Sequence, residues 1–367
     1  MAAGGSAEPH KRINSIQLLF LLHTVPIGVG VLGLVRFVAD RSNHDAALAI
    51  LLSGLYPQIG ILFIWLLLKR FGSYGLYDVF RRLFGRWLGG LLSLLFAAYC
   101  LFATVMTLRT FVELVNAWLF PMMPVWVLTV LFLLPIIYAS YAGLQLLGRY
   151  AIATFFLTVW IFFMNYFPIA EGTVSHLLPI GSTGLTSIVQ GSMLSALSLL
   201  GTELLLVYYP YITYKKDVLP AASIASWGVT LMYTGTAVTT LMFFSHDQLK
   251  KTIWPLLTMF KHVQIPFIER FETIIIAIWL VQIVNTCSTY LWAGMEGVQK
   301  VFRFQAIYLY AAFFLGALIL SSRIAGRIEI NFYLNILSKT GMAVMVVLPA
   351  LLWLFAVLFR KKGGTAP

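Results

Sequence analysis

Apolar residues run along this chain in ten long blocks parted by short polar stretches. The blocks fall at about 16–38, 45–68, 88–117, 124–141, 146–168, 187–209, 219–244, 271–296, 304–321 and 340–359. Each reaches, or falls just short of, the roughly 20 residues that a helix needs to cross a bilayer. The pattern predicts an all-α integral membrane protein with ten transmembrane helices. Residues 74–87 mix aromatic side chains with arginines, which predicts a short helix on the membrane surface. The segment 246–270 is too polar to cross and is divided by Trp254-Pro255 and Ile265-Pro266.

Two blocks contain residues that do not suit a continuous helix. The first holds His23-Thr24-Val25-Pro26-Ile27-Gly28-Val29-Gly30-Val31-Leu32-Gly33 at its centre. Proline removes a donor, and glycine has no side chain to hold a turn. A backbone group freed inside hydrocarbon is tolerated only where protein or a water-lined cavity satisfies it. The sixth holds Gln190-Gly191-Ser192-Met193-Leu194-Ser195-Ala196-Leu197-Ser198-Leu199-Leu200-Gly201-Thr202-Glu203, rich in small and hydroxyl residues and closed by an acid. Interrupted spans five apart predict two five-helix repeats of inverted topology, about 16–168 and 187–359, within one domain over 1–367, with a solute site where the repeats meet. Half-helix N-termini and bare glycine N–H groups suit a carboxylate, and unwound carbonyls suit an ammonium, so a small zwitterion fits. A methyl at Gly28 or Gly30 should hinder it, and one at Gly33 should be better tolerated. The competing explanation is that the small residues only let helices pack closely; two breaks at matched positions favour the site. Gly28-x-Gly30-x-x-Gly33 also fits the dinucleotide fingerprint, but that motif needs a preceding strand and a strand-helix-strand unit, and neither is present.

Composition agrees: 60% of residues are hydrophobic and 10% charged, against about a quarter charged in globular domains. The net charge of +12 is scattered between blocks, as orientation and contact with lipid headgroups require, and does not call for nucleic acid. With the N-terminus inside, fifteen lysines and arginines fall on the cytoplasmic side and nine on the other, which places both termini in the cytoplasm. The first block is longer than a signal-peptide core and lacks a small-residue cleavage site, so it is read as retained. Cys100 and Cys287 both lie in apolar spans, against a disulfide framework or metal centre. No cofactor is expected, and no acid dyad or nucleophile–base pair points to an enzyme.

Single residues stand out against this background. Glu203 is an acid deep in an apolar span, where it must be protonated and bonded to span one or eight, or face a cavity and handle protons or cations. Arg109 and Glu113 are four apart on one helix face and are expected to form a structural ion pair. His23 flanks the first break, where a satisfied interior histidine is the plainer role. Tyr99 with Ala103, and Thr286 with Tyr290, are spaced to share a helix face.

Several motifs carry a resemblance. Pro26-Ile27-Gly28-Val29-Gly30-Val31-Leu32, Leu108-Arg109-Thr110-Phe111-Val112-Glu113, Gly201-Thr202-Glu203, and Phe267-Ile268-Glu269-Arg270-Phe271-Glu272 followed by Ile278-Trp279-Leu280 stand in that order along the chain. They resemble the motifs of the B subunits of spore germinant receptors, the GerAB-type family, a branch of the amino acid–polyamine–organocation superfamily with the LeuT-type fold. The resemblance implies a subunit of the spore inner membrane that binds a small L-amino acid at mid-membrane and signals germination, with a receptor A subunit and a lipoprotein C subunit as partners. It implies a pocket of Gly28, Gly30, Tyr99, Ala103, Leu199, Thr286 and Tyr290, to which the candidate set adds Thr24, Ile27 and Ser198. Many relatives have threonine where this chain has Val29. The alternative is a proton- or sodium-coupled amino acid transporter of the same fold.

Overall fold

The computed structural model describes residues 12–263, 270–302 and 304–359. Ile265-Pro266, the Phe267–Glu269 part of the fourth motif, and the basic residues Lys11, Arg303, Arg360, Lys361 and Lys362 lie outside them. Within the described residues the chain is helical, with a single isolated bridge between Ile13 and Ile212.

Helix α1 (Ser15–Thr24) begins at a capping box, Asn14 accepting from the Gln17 N–H while the Gln17 side chain accepts from the Asn14 N–H. It stops before Pro26, and α2 (Gly30–Ser42) takes over after five residues. Then come α3 (Ala46–Ser53), α4 (Leu55–Phe71) and α5 (Leu76–Trp118). Gly85, at φ 80°, kinks α5 and separates the expected surface piece from the span it leads into. Next are α6 (Val125–Tyr141), α7 (Leu144–Phe163), α8 (Tyr166–Glu171) and α9 (Gly184–Leu194). Two tight turns, Ser195–Leu199 and Thr202–Leu204, lead to α10 (Leu205–Tyr208), and α11 (Val218–Phe243) follows. The polar segment holds α12 (His246–Lys251) and α13 (Pro255–Phe260), parted at Trp254-Pro255. The chain closes with α14 (Phe271–Phe302), α15 (Ala306–Arg323), α16 (Gly326–Met342) and, after a π-turn at Ala343–Val347, α17 (Leu348–Leu358).

Among the described residues, six helical runs are long and apolar enough to cross a membrane: Gly30–Phe71, Leu76–Trp118, Leu144–Glu171, Phe271–Phe302, Ala306–Arg323 and Gly326–Leu358. The pair Gly184–Leu199 and Thr202–Tyr211, bent by 53°, makes a seventh. The last run begins well before residue 340, where its apolar block starts. Its polar first turns are helical because they are partnered: Glu329 accepts from the Ala325 N–H at 2.7 Å, and Arg327 pairs with Glu113.

Helix α14 is the central element. Its most apolar window is 72% buried, against 17% for α15 and 28% for the α16–α17 run, so α15 to α17 are peripheral. The buried apolar side chains form two clusters that meet at the α1–α2 junction. Val25 belongs to one, with Leu21 and Leu22, and Ile27 and Val29 to the other. Chain interruption and core boundary coincide.

Candidate solute-binding site

Between α1 and α2 the backbone folds into tight turns, with the Ile27 N–H on Thr24 O at 3.0 Å and the Gly28 N–H on Pro26 O at 2.8 Å. Side chains meet the carbonyls of this stretch as well, Thr24 O and Pro26 O each taking a second donor. Gln282 Nε2 donates to Thr24 O, Thr286 Oγ1 to Val25 O at 3.2 Å, Tyr233 OH to Pro26 O at 2.9 Å and Trp279 Nε1 to Gly28 O at 3.3 Å. Asn285 Nδ2 donates to Thr24 Oγ1 at 2.6 Å. Trp279, Gln282, Asn285 and Thr286 stand three, three and one apart on α14, so they form one stripe facing the junction. Thr286 was expected as a pocket residue and here also donates to the junction; the polar-tipped residues at helical spacing before it were the signal that could have shown the other three.

The second interruption is set by Gly201. Its φ of 133° lies in the region that glycine alone adopts at low cost, and an added Cβ would stand 2.7 Å from Val25 Cγ1. The two interruptions therefore touch each other. Gly201 also donates its N–H to Glu203 Oε2 at 2.7 Å, while Tyr99 OH and Tyr290 OH donate to Glu203 Oε1 at 2.7 and 2.6 Å. Glu203 is fully buried. Three donors on one carboxyl group satisfy the ionised form. Its partners come from α5, α14 and its own turn, and none from the first span.

A cavity of about 110 Å³ opens beside the two interruptions. Gly28, Gly30, Ala103, Ser198, Thr286 and Tyr290 of the expected set line it. The other four do not. Thr24 is fully buried and held by Gln282 and Asn285. Ile27 lines a separate cavity of about 50 Å³ with His23 and Gln282. Tyr99 reaches Glu203 instead, and Leu199 packs in an apolar cluster. Residues that the sequence reading missed complete the wall: Thr107 and Thr110, one and two turns beyond Ala103, with Trp254, Leu334 and Leu337. The turn spacing from Ala103 would have found the two threonines. Leu334 and Leu337 were not expected, because residues 326–339 fall between the last two apolar blocks.

The glycines differ from one another. An added Cβ at Gly28 would meet only Thr107 Cγ2, at 4.0 Å, whereas at Gly30 it would stand 2.8 Å from Ser198 Oγ. Gly33, expected to tolerate a methyl, is crowded as well, with Ile253 O at 3.2 Å and Phe37 Cε2 at 3.3 Å. The α12–α13 linker comes down onto α2 there.

The expected Arg109–Glu113 pair is not formed. Arg109 donates from Nε and Nη2 to Ile324 O, at 3.1 and 2.9 Å, and Glu113 pairs with Arg327 Nη1 at 2.7 Å. The α15–α16 turn offers a carbonyl and the first turn of α16 a competing guanidinium, and the two residues bond to these instead of to each other. Arg327 also lies 5.4 Å from the centre of the Trp254 ring, so the pair and the indole stand together at the cavity wall.

Solved structures place this architecture. The chain superimposes on MhsT, crystallised in complex with L-phenylalanine, with a TM-score of 0.65, 13% identity and coverage of 96% of this chain and 90% of that one. It also matches Mhp1, a nucleobase-cation-symport-1 family transporter in a closed conformation with bromovinylhydantoin bound, with a TM-score of 0.61, 13% identity and coverage of 96% and 79%. The fold is thus that of a multi-pass, all-helical membrane protein with LeuT-like architecture. The chain belongs to the spore germination protein family, which residues 12–330 match. It is 30% identical over 343 residues to the spore germination protein GerQB of Bacillus cereus, covering 94% of this chain and 95% of that one. To the spore germination protein A2 of Bacillus subtilis (strain 168) it is 26% identical over 302 residues, covering 79% and 81%. This is a family of germination proteins, not of enzymes.

Proposed function

We propose that this chain is the membrane subunit of a spore germinant receptor and binds a small L-amino acid in the cavity between its two interrupted spans. The observation that carries the reading is the meeting of Gly28 and Gly30 with Ser198, Thr286 and Tyr290 around one cavity. The glycines let a carboxylate approach backbone N–H groups, and the three hydroxyls offer partners to an ammonium. Part of the remaining wall, formed by Leu334, Leu337, Leu197 and Trp254, suits an apolar side chain, and Thr107, Thr110 and Arg327 add polar groups beside it. In this reading the chain makes ten spans in two inverted five-helix repeats, about 16–168 and 187–359, with spans one and six interrupted. Both termini are cytoplasmic, the host membrane is the inner membrane of the spore, and an A subunit and a lipoprotein C subunit complete the receptor.

Thermal-shift titration of the purified chain against each common L-amino acid tests the reading. One or a few apolar amino acids should stabilise it saturably, and the effect should vanish with a bulky side chain at Ser198 or Gly30. No response to any of them would overturn it. The alternative, coupled transport of the amino acid, draws on Glu203, a buried acid one bond from a cavity residue. Counter-flow of a responding amino acid in proteoliposomes would favour it over the receptor.

A further inference from the structure

The end of α1 is the place in this molecule where a cation would be expected. A helix C-terminus carries about half a negative charge, and its last carbonyls have no partner within the helix. In interrupted membrane helices such carbonyls commonly coordinate a coupling cation. Here the corresponding acceptors are already used. Thr24 O takes Gln282 Nε2 and the Ile27 N–H, Thr24 Oγ1 takes Asn285 Nδ2 at 2.6 Å, and Val25 O shares the Thr286 hydroxyl with Gln282 O, both at 3.2 Å. Gln282 and Asn285 are fully buried, and the stripe that supplies these donors is neutral throughout. Both amides turn a nitrogen to the junction, and both amide oxygens are left without a protein partner. The orientation is that of a donor facing carbonyls, the reverse of an amide that helps to ligate an ion.

We propose that Gln282, seconded by Asn285, stands in the place of a coupling cation, so that this chain holds its first interruption and binds its solute without sodium, potassium or another ion. Gln282 is a positioning residue: it fixes Thr24 and the turn that carries Gly28 and Gly30, and does not touch the solute. The inference builds on the amino-acid site above and separates an ion-free receptor from an ion-coupled transporter. The rival state has the same residues with both amides reversed, their oxygens and Thr24 O surrounding a cation.

The test does not depend on knowing the amino acid. The purified chain is melted in choline chloride, NaCl and KCl at equal ionic strength and pH 8. The wild type should melt alike in all three. A saturable rise of several degrees with Na⁺ or K⁺ would show an ion bound to the native state and overturn the proposal. Gln282→Glu replaces the donor by a carboxylate facing Thr24 O and should create a cation requirement, visible as stabilisation by NaCl or KCl over choline. Gln282→Lys puts an ammonium there and should stay indifferent. Equal indifference in the Glu variant would count against the proposal, because a side chain that only fills space predicts no change in ion dependence. Should the Glu variant not fold, the wild-type and Lys melts still decide. Amino-acid binding in the three salts is measured alongside. Binding only in Na⁺ or K⁺ overturns the inference, whereas no binding in any salt overturns the amino-acid site and leaves the ion melts to decide the inference.

Discussion

Tyr290 donates its hydroxyl to Glu203 Oε1 at 2.6 Å while its side chain lines the cavity. Tyr99 bonds the same oxygen at 2.7 Å, and the two rings meet edge to face with centroids 6.3 Å apart. Glu203 in turn holds the N–H of Gly201, whose Cα sits against Val25. A solute that shifts Tyr290 therefore disturbs a carboxyl group bonded to the second interruption, which packs against the first through Gly201 and Val25. This is a physical route from an occupied cavity to a change in helix geometry.

Glu203→Ala leaves two buried phenol hydroxyls and one N–H without an acceptor, at about 1–3 kcal/mol each. Glu203→Gln keeps the shape and one acceptor oxygen for the tyrosines, but turns an amide N–H₂ toward the Gly201 N–H. The Gln variant should fold with a loss of about 1.5–3 kcal/mol, the worth of one hydrogen bond to a charged group, and the Ala variant should lose more. Tyr290→Phe should remove one donor and weaken the response to a bound solute more than it lowers the melting temperature. Equal damage from Gln and Ala would mean that the charge of Glu203, and not its bonding shape, is what the site needs.

Gly201→Ala should be among the most damaging single-methyl changes in the chain. The position combines φ 133° with a Cβ contact of 2.7 Å to Val25 Cγ1. Strained backbone alone costs about 1–3 kcal/mol, and the neighbour belongs to the other interruption. Reduced yield of folded protein by fluorescence-detected size exclusion checks this. A variant that melts like the wild type would mean that the two interruptions are not packed as described.

Much of this arrangement was readable from residue order. The apolar blocks marked the chain as all-helical and multi-spanning because bilayer thickness sets the length of a spanning helix, and Pro26 with Gly28 and Gly30 marked the stretch where α1 and α2 part because neither residue type supports a helix. Gly201 was visible as a glycine, but its contact with Val25 depends on two distant segments meeting. Arg109 and Glu113 show the limit of spacing: four residues apart fixes a shared face, not a shared bond, and Ile324 O and Arg327 outcompete the intrahelical pair. Helix α16 went unread because Arg327, Glu329, Asn331, Asn335 and Lys339 make its sequence look like a loop. The donor stripe on α14 went unread for the opposite reason, its amides being lone polar residues in an apolar helix whose purpose shows only beside the carbonyls they meet.

Outside the spans, Lys215 gives a pH dependence of defined sign. Burial, and then the nearby charge of Arg12, bring its ammonium down to about 8 from the ordinary 10.5, while its Nζ donates to Tyr209 O. Between pH 8 and 10.5 the unfolded chain binds a proton at this site that the folded chain does not. Stability therefore rises with pH across that window, and the cost of the charged form is fully present below it. Lys215→Met should remove this rise, seen as a flatter melting temperature between pH 8 and 10 than in the wild type. Parallel curves for the two proteins would contradict the assignment.

Gly30 and Ser198 permit a test in which one substitution repairs another. A methyl at Gly30 would stand 2.8 Å from Ser198 Oγ but 3.6 Å from Ser198 Cβ, so the hydroxyl alone makes the clash. Gly30→Ala should cost about 1–3 kcal/mol through local overpacking and weaken amino-acid binding, because α2 is pushed off the Ser195–Leu199 turn. Ser198→Ala removes the obstructing atom and should cost little stability by itself. The double variant Gly30→Ala/Ser198→Ala should recover most of the lost melting temperature, a coupling of the kind that residues in contact show. Binding should recover less, since the double variant lacks one of the hydroxyls lining the cavity. Gly28→Ala, whose methyl has 4.0 Å of room to Thr107, should leave stability near wild type and reduce binding by occupying the cavity. Strictly additive losses at Gly30 and Ser198 would show that the two interrupted spans do not meet there, and the proposed site would lose one of its walls.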